Sequence, residues 1–415
     1  MSYRRLLSRS DARRYLAGQT LSLLGDSSMW MACGIWVKSL TGSNGAAGLV
    51  FFFFLAPAVS APLAGLVVDR VRRRPLLVTL NLLGALILVP LFAVQDAGDV
   101  WIAYVVMLLY GIVNIAIAPA QSALLHRMLP DDLLASANSA LRTAQESLRI
   151  LAPLAGAGLY AAFGGRAVVI LDIITFLAAA AFIVSLSVRE PRPGRADGHV
   201  LAGVFDGLRF IRNSPVLRPA TIAGIVLTAV IGFSESTTWA VISDGLHRPP
   251  EFAGILQLAQ GVGAITAGLF AAAAVTRYGE TRVAGFGTAV FALGEAFLVV
   301  PGLVPVLVGK VLIGGGLPML IIAVITLLQR SAPDHLQGRV YAGFEVVTTV
   351  PQTCSVALGA WMVGVLDYRL VIGLAAIVSA TSALMMIRIR RPAEPGEQER
   401  SSAPENRLLA HSRTT

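Results

Sequence analysis

Twelve runs of roughly 20 or more predominantly apolar residues, each closed by a short polar break, make up most of this chain. A helix crossing a bilayer needs about 20 such residues. Inside lipid every backbone N–H and C=O must be satisfied by the segment itself, which leaves helices and closed barrels. The runs are too long for barrel strands of about 9–11 residues, so they read as helices. They lie at about 14–38, 44–68, 76–95, 101–125, 135–160, 166–187, 217–241, 251–275, 282–300, 304–328, 341–364 and 368–389. The split between the ninth and tenth rests on the "PGLVP" break at 301–305. Composition agrees: 14% of residues are charged and 55% hydrophobic, against about 25% charged in soluble domains. The expectation is an all-α membrane protein.

The charges set an orientation. With the N-terminus inside, 26 arginines fall in inner segments, against Lys38, Arg166, Arg248 and Arg369 in outer loops. Cytoplasmic loops carry such an excess, so both termini are expected in the cytoplasm of a cell-membrane protein. The same distribution explains the net charge of +9; with no basic stripe interleaved with aromatics, no nucleic-acid partner is expected. No cleavable signal peptide is evident, because the first apolar run is long and carries Asp26.

Little in the chain suggests catalysis. The five histidines are dispersed over loops and tails, without metal-ligand spacing or a Ser–His–Asp set. "GVGAITAG" at 261–268 lies inside a span with no strand before it, and no Walker A motif occurs. Neither enzyme activity, metal nor cofactor is expected. Cys33 and Cys354 sit in apolar runs, and both are expected to be buried free thiols.

The chain repeats itself. "LLHRMLPDDL" (124–133) and "LLQRSAPDHL" (327–336) share six residues at an offset of 203, and "AGL" at 64–66 meets "AGL" at 267–269. "DSSMW" at 26–30 and "ESTTW" at 235–239 echo each other at an offset of 209. Two six-span halves in one orientation are parallel repeats, an architecture of secondary transporters. The expected organisation is an N-terminal half over 1–187, a cytoplasmic linker over 188–216, a C-terminal half over 217–391 and a disordered tail over 392–415. Within the linker, "VFDGLRFIRNSP" reads as a short amphipathic helix on the inner membrane surface.

On these residues the sequence resembles the major facilitator superfamily. "GLVVDRVRRRPLL" (65–77) is similar to the family signature between helices two and three, matching at Gly65, Asp69, Arg70, Arg73 and Arg74; Arg72 stands where the family has a second glycine. "ILAPLAGAG" (150–158) resembles the exporters' helix-five signature through Pro153 and Gly156, with Ala152 and Ala157 replacing two glycines. "GQTLSLLGDSSMW", "ANSALRTAQE" and "LQGRVYAG" resemble the drug-exporting branch that includes macrolide-efflux and enterobactin-exporter proteins. The resemblance implies the major facilitator fold and alternating access. It implies a proton-coupled exporter of a hydrophobic or amphiphilic small molecule, such as an antibiotic or secondary metabolite, working as a monomer. A lipid or lysophospholipid flippase and a non-transporting membrane receptor are the alternatives.

Ionisable groups at membrane depth are costly and therefore candidate functional groups. Asp26 in span one reads as a proton carrier or a cation-binding group, or else as a permanently hydrogen-bonded carboxylate. Arg142, Glu146 and Arg149 share one face of span five by their spacing; they form a titrating set or a static ion cluster. Glu235 in "FSESTTW" is a cavity candidate, and Lys310 a counter-ion for an acid. Asp172 and Glu295, on spans peripheral in this fold, read as structural, as does Glu345. Trp30, Phe233 and Trp239 suit apolar pocket walls or ordinary packing. In the family reading Asp69 faces the start of span eleven near Gly338 and Arg339, with Arg73 or Arg74 reaching Asp131 or Asp132. That set would latch the halves together on the inner side.

Overall fold

The computed structural model describes residues 2–61, 68, 70–188, 200–333 and 336–388, and every regular element among them is helical. A short helix, Ser2–Ser8, precedes α1 (Ser10–Thr41). Then follow α2 (Asn44–Leu55, extended by a 3₁₀ turn Ala56–Ser60), α3 (Arg73–Leu88), α4 (Val100–Met128), α5 (Asp131–Phe163) and α6 (Gly165–Val184). A linker helix, Val200–Asn213, leads to α7 (Leu217–Ala240, closed by a π turn Val241–Gly245), α8 (Ala253–Tyr278) and α9 (Glu280–Val299). The last three are α10 (Leu303–Ser331), α11 (Gln337–Val365) and α12 (Tyr368–Arg388).

The breaks are built from turn chemistry. Gly42, in the left-handed conformation, closes α1 by donating its N–H to Lys38 O, and the Ser43 hydroxyl caps α2 by accepting from Ala46 N at 3.2 Å. Short breaks force neighbouring helices to run antiparallel. The ends carrying residues 11, 74, 132 and 187 therefore gather on one face, here the terminal face. There Arg74 donates to the α6 carbonyls of Ile183 and Val184, and Asp11 accepts from Ser187 N.

The repeat is legible in the helix bounds. Adding 203 to α4 gives 303–331, the bounds of α10; adding it to α6 gives 368–387, one residue short of α12. Each half also has its own core. One cluster draws only on residues from Leu6 to Leu186. The other runs from Ile211 to Met386 and takes in five residues of the first half, among them Phe51 and Ala157.

Among the described residues nine helices are long and apolar enough to cross a membrane unaided. The three that fall short are α1, α2 and α5. The described part of α2 is only Asn44–Ser60, while α1 and α5 carry Asp26 and the Arg142–Glu146–Arg149 face. A charged stripe on a spanning helix must turn away from lipid, and Asp26 and Arg149 line the space between the halves.

One expectation needs correction. Cys33 is buried, but Cys354 is exposed: it lies on a flank of α11 that no other described helix covers. The linker helix is amphipathic as expected, and part of its apolar side packs against α11. Val204 and Ile211 are buried there, and Arg339 Nη1 donates to Asp206 Oδ2 at 3.0 Å. Burying a few aliphatic side chains against a neighbouring helix satisfies the same hydrophobic drive that lipid would. Phe205 remains outward.

Candidate functional site

The two halves enclose a cavity of about 440 Å³, within the roughly 300–1,000 Å³ of sites that bury a drug-sized ligand. Its walls are drawn from equivalent positions of the repeats. Phe54 and Gln257, and likewise Arg149 and Gln352, are 203 residues apart; Asp26 and Glu235 are 209 apart; all six line it. A pseudo-two-fold arrangement of this kind presents both acids to one space.

Asp26 is reached from the cavity on one side and bonded on the other. Tyr110 Oη of α4 lies 2.5 Å from Asp26 Oδ1 and 3.0 Å from Asp172 Oδ2 of α6. Asp172 has no exposed surface, and Thr175 Oγ1 lies 3.2 Å from its Oδ1. Across the cavity, Lys310 of α10 is buried and donates to Thr238 Oγ1 at 3.1 Å. Two acids act on it electrostatically, Glu235 on the wall and the wholly buried Glu295 near Ser234. A lysine ammonium within the electrostatic reach of two carboxyls is a site where charge can be traded: a proton or a cationic ligand on either acid changes the field at Lys310.

Of the span-five face, Arg149 lines the cavity, pairs with Glu146 at 3.0 Å and acts electrostatically on Glu235 across the gap. Both side chains of the pair are about half exposed, at 55% and 53%. Arg142 is exposed one turn nearer the terminal face, where its charge acts on Tyr341 of α11. Trp30 lines the cavity, with its ring 4.5 Å from that of Phe51; Phe51 in turn stacks on Trp239 at 5.9 Å. The buried Trp239 is thus one ring behind the wall, and Phe233 packs toward Gly359 of α11.

Pro153 lines the cavity, and Gly156 explains why α5 comes so close to α1. A Cβ at position 156 would lie 2.6 Å from Ser28 O and 2.8 Å from Ser28 Cα. Only a residue without a side chain fits, and the approach lets Ser28 Oγ donate to Ala152 O at 3.0 Å. Beyond the aromatic layer, on the face opposite the terminal one, polar groups join the halves. Asn44 Nδ2 donates to Asp244 Oδ2 at 3.0 Å and Ser243 Oγ to Asn44 Oδ1 at 3.0 Å, while Lys38 Nζ donates to the same Asn44 oxygen.

Gly65 and Asp69 lie outside the described residues, as does the tail, and of Asp131 only its place at the start of α5 is described. Arg70 is exposed and Arg73 half-buried. Arg74 holds the end of α6, Asp132 pairs with Arg5 at 3.5 Å, and Arg339 pairs with Asp206. Among the described residues no three His, Cys, Asp or Glu side chains stand together as a metal site.

Tyr110 was not anticipated from the sequence, and Asp172 and Glu295 read there as structural groups only. Tyrosine is common in spans and carries no charge to flag it. Asp172 sits on α6, which gives the cavity no lining residue, and Glu295 lies on α9 one turn beyond the wall residue Phe291; only the packing brings the two acids near Asp26 and Lys310.

The Major Facilitator Superfamily family model matches residues 15–242 and 226–413. The multidrug efflux pump Tap of Mycobacterium tuberculosis is 28% identical over 352 residues, covering 80% of this chain and 82% of its own. Macrolide efflux protein A of Streptococcus pyogenes is 22% identical over 300 residues, covering 70% and 72%. The solved structure of the nucleoside transporter NupG superposes with a TM-score of 0.75 at 14% identity, over 92% of this chain and 99% of that one; it bears on fold alone. With helices of spanning length, paired six-helix halves and a cavity between them, the chain belongs to the Major Facilitator Superfamily: a multi-pass membrane transporter and not an enzyme.

Proposed function

We propose that this protein is a proton-coupled exporter of hydrophobic or amphiphilic small molecules, antibiotics or secondary metabolites among them. It works by alternating access as a monomer with both termini in the cytoplasm. The observation that carries the reading is the cavity shared by the halves. It combines apolar walls with two acids, Asp26 and Glu235, one from each repeat. An amphiphilic cation would lay its apolar body against Trp30 and Phe54 and its charge near the carboxylates; protons would compete for the same groups. Lys310 and the Glu146–Arg149 pair would take up the carboxylate charge once the cation leaves. The likeness to Tap and to macrolide efflux protein A supports export of drug-like molecules.

In this cycle the Asn44–Asp244–Ser243 contacts close the far side while the terminal side admits ligand from the cytoplasm. Asp69, Gly65, Arg70, Arg73, Arg74 and Asp131 would form the opposing latch, engaged when the far side opens. A carboxylate at the start of α11 is favoured by its dipole, by about 0.3–1 kcal/mol. The reading is tested with ethidium as probe in proteoliposomes. Dye should move against its gradient when protons flow the other way, and Asp69→Asn should lower transport while expression persists. Dye movement indifferent to the proton gradient would remove the coupling. Changes in lipid composition without drug sensitivity in a deletion strain would favour a flippase.

A further inference from the structure

We infer that Asp172 and Tyr110 form with Asp26 a two-carboxyl relay that stores one proton deep in the N-terminal half, with Tyr110 as the bridge and Asp172 as the store. The inference rests on the proton-coupled reading only for its purpose, not for its chemistry.

The Tyr110 hydroxyl has a single hydrogen, yet its oxygen lies within hydrogen-bond distance of both Asp26 Oδ1, at 2.5 Å, and Asp172 Oδ2, at 3.0 Å. An ionised carboxylate only accepts. The hydroxyl can therefore donate to one acid, and the other contact is a hydrogen bond only if that acid carries a proton and donates to the tyrosine oxygen. With both acids ionised, one oxygen pair would face another without a hydrogen.

Burial points the same way. Asp172 has no exposed surface, and the charged group that acts on it is another acid, Asp26. A bare buried carboxylate costs many kcal/mol unless paired, and a group so placed takes a proton instead. Among the described residues the facing elements offer no counter-cation at the pair. Asp26 has Ser22 on its own helix, and Asp172 has Thr175. Helix α2 contributes no titratable side chain over 44–60, and α3 brings Arg73 and Arg74, of which Arg74 is bound to the terminal end of α6. Helix α5 carries Arg142, Glu146, Arg149 and Tyr160; Arg149 shares the cavity with Asp26 and pairs with Glu146, and Tyr160 bonds Ser39 beyond it. Glu235 and Lys310 lie on the opposite wall.

The fold also makes room for the store. At Gly25, next to Asp26, an added Cβ would lie 2.3 Å from Asp172 Oδ1 and 2.0 Å from Thr175 Oγ1. The α6 carboxyl is thus packed directly on the α1 backbone, where water has no place.

The step conserves atoms and charge. A proton from the cavity binds Asp26. Its Oδ–H bond then breaks as the hydrogen passes to Tyr110 Oη, while the tyrosine's own O–H breaks and that hydrogen passes to Asp172 Oδ2. Asp26 returns to a carboxylate, free for a cationic ligand, Tyr110 stays neutral, and Asp172 becomes the acid. Nothing is oxidised or reduced.

Infrared difference spectroscopy on the full-length protein in lipid nanodiscs tests this without any transported substrate, so its failure leaves the exporter reading standing. At neutral pH the wild type should show a protonated-carboxyl absorbance that is lost in Asp172→Asn. In Tyr110→Phe the band should persist but shift, and its exchange into heavy water should slow; Asp26→Asn should slow exchange as well. The inference is overturned if Asp172→Asn matches the wild type, if neither other variant alters frequency or exchange, or if sodium at constant pH removes the band. Should Asp172→Asn misfold, the near-isosteric Tyr110→Phe decides.

Discussion

Replacing Gly156 by alanine puts a number on the contact between α1 and α5. The new Cβ would lie 2.6 Å from Ser28 O, where ordinary contact begins at 3.4 Å. Both nearest atoms are backbone, so no side chain can swing aside, and the helices must part by about 0.8 Å, the difference of those distances. That movement stretches the 3.0 Å bond from Ser28 Oγ to Ala152 O out of the roughly 2.5–3.0 Å range of an O–H···O hydrogen bond. Overpacking costs about 1–3 kcal/mol, and a buried hydroxyl left unpaired about 1–3 kcal/mol more. Part of each is recovered by relaxation and by alanine's better helix propensity, about 0.5–1 kcal/mol, which leaves roughly 2–4 kcal/mol. Gly158, two residues on, has nothing within 4 Å of its Cβ position. Gly158→Ala should be neutral or slightly stabilising on propensity alone. The assay is thermal unfolding of the purified protein in detergent, followed by a thiol-reactive dye in a Cys354→Ser background, so that only the buried Cys33 reports. Equal midpoints for Gly156→Ala and Gly158→Ala would refute the close-approach argument.

Other consequences follow from single contacts. Native wild-type protein should take up one equivalent of a membrane-permeant maleimide at Cys354 and none at Cys33 before unfolding, counted by mass spectrometry. Asn44→Ala removes the hub of the far-side contacts. At about 0.5–1.5 kcal/mol for a hydrogen bond, it should raise far-side accessibility of a cysteine placed in the cavity roughly two- to tenfold. Asp206→Asn breaks an ion pair whose side chains are both 54% exposed; it should cost less than about 1 kcal/mol, and thermal stability in high salt should not separate it from wild type.

How much of this was legible beforehand depends on the physics that writes each feature. Span number, halves and repeat were legible because the bilayer demands length and apolarity of each helix separately, and "LLHRMLPDDL" and "LLQRSAPDHL" fall at the ends of α4 and α10. Asp26, Glu235, Arg149 and Lys310 stood out because charge at depth is rare, and all four reach the cavity. What stayed hidden depends on how helices pack. Tyr110 has no charge to betray it, and Asp172 is defined by what α1 and α4 bring to it. Cys354 reads as buried from its apolar neighbours, yet helix rotation decides which flank it occupies. Burial of the linker helix against α11 depends on a long-range contact that an amphipathic pattern does not specify.

The most direct test of the account is ethidium movement in proteoliposomes under an imposed proton gradient, comparing wild type with Asp26→Asn, alongside counterflow without a gradient. The account predicts uphill dye transport by the wild type, loss of that transport in Asp26→Asn, and counterflow retained by both. Uphill transport that persists unchanged in Asp26→Asn, or that no proton gradient can drive in either protein, would contradict it.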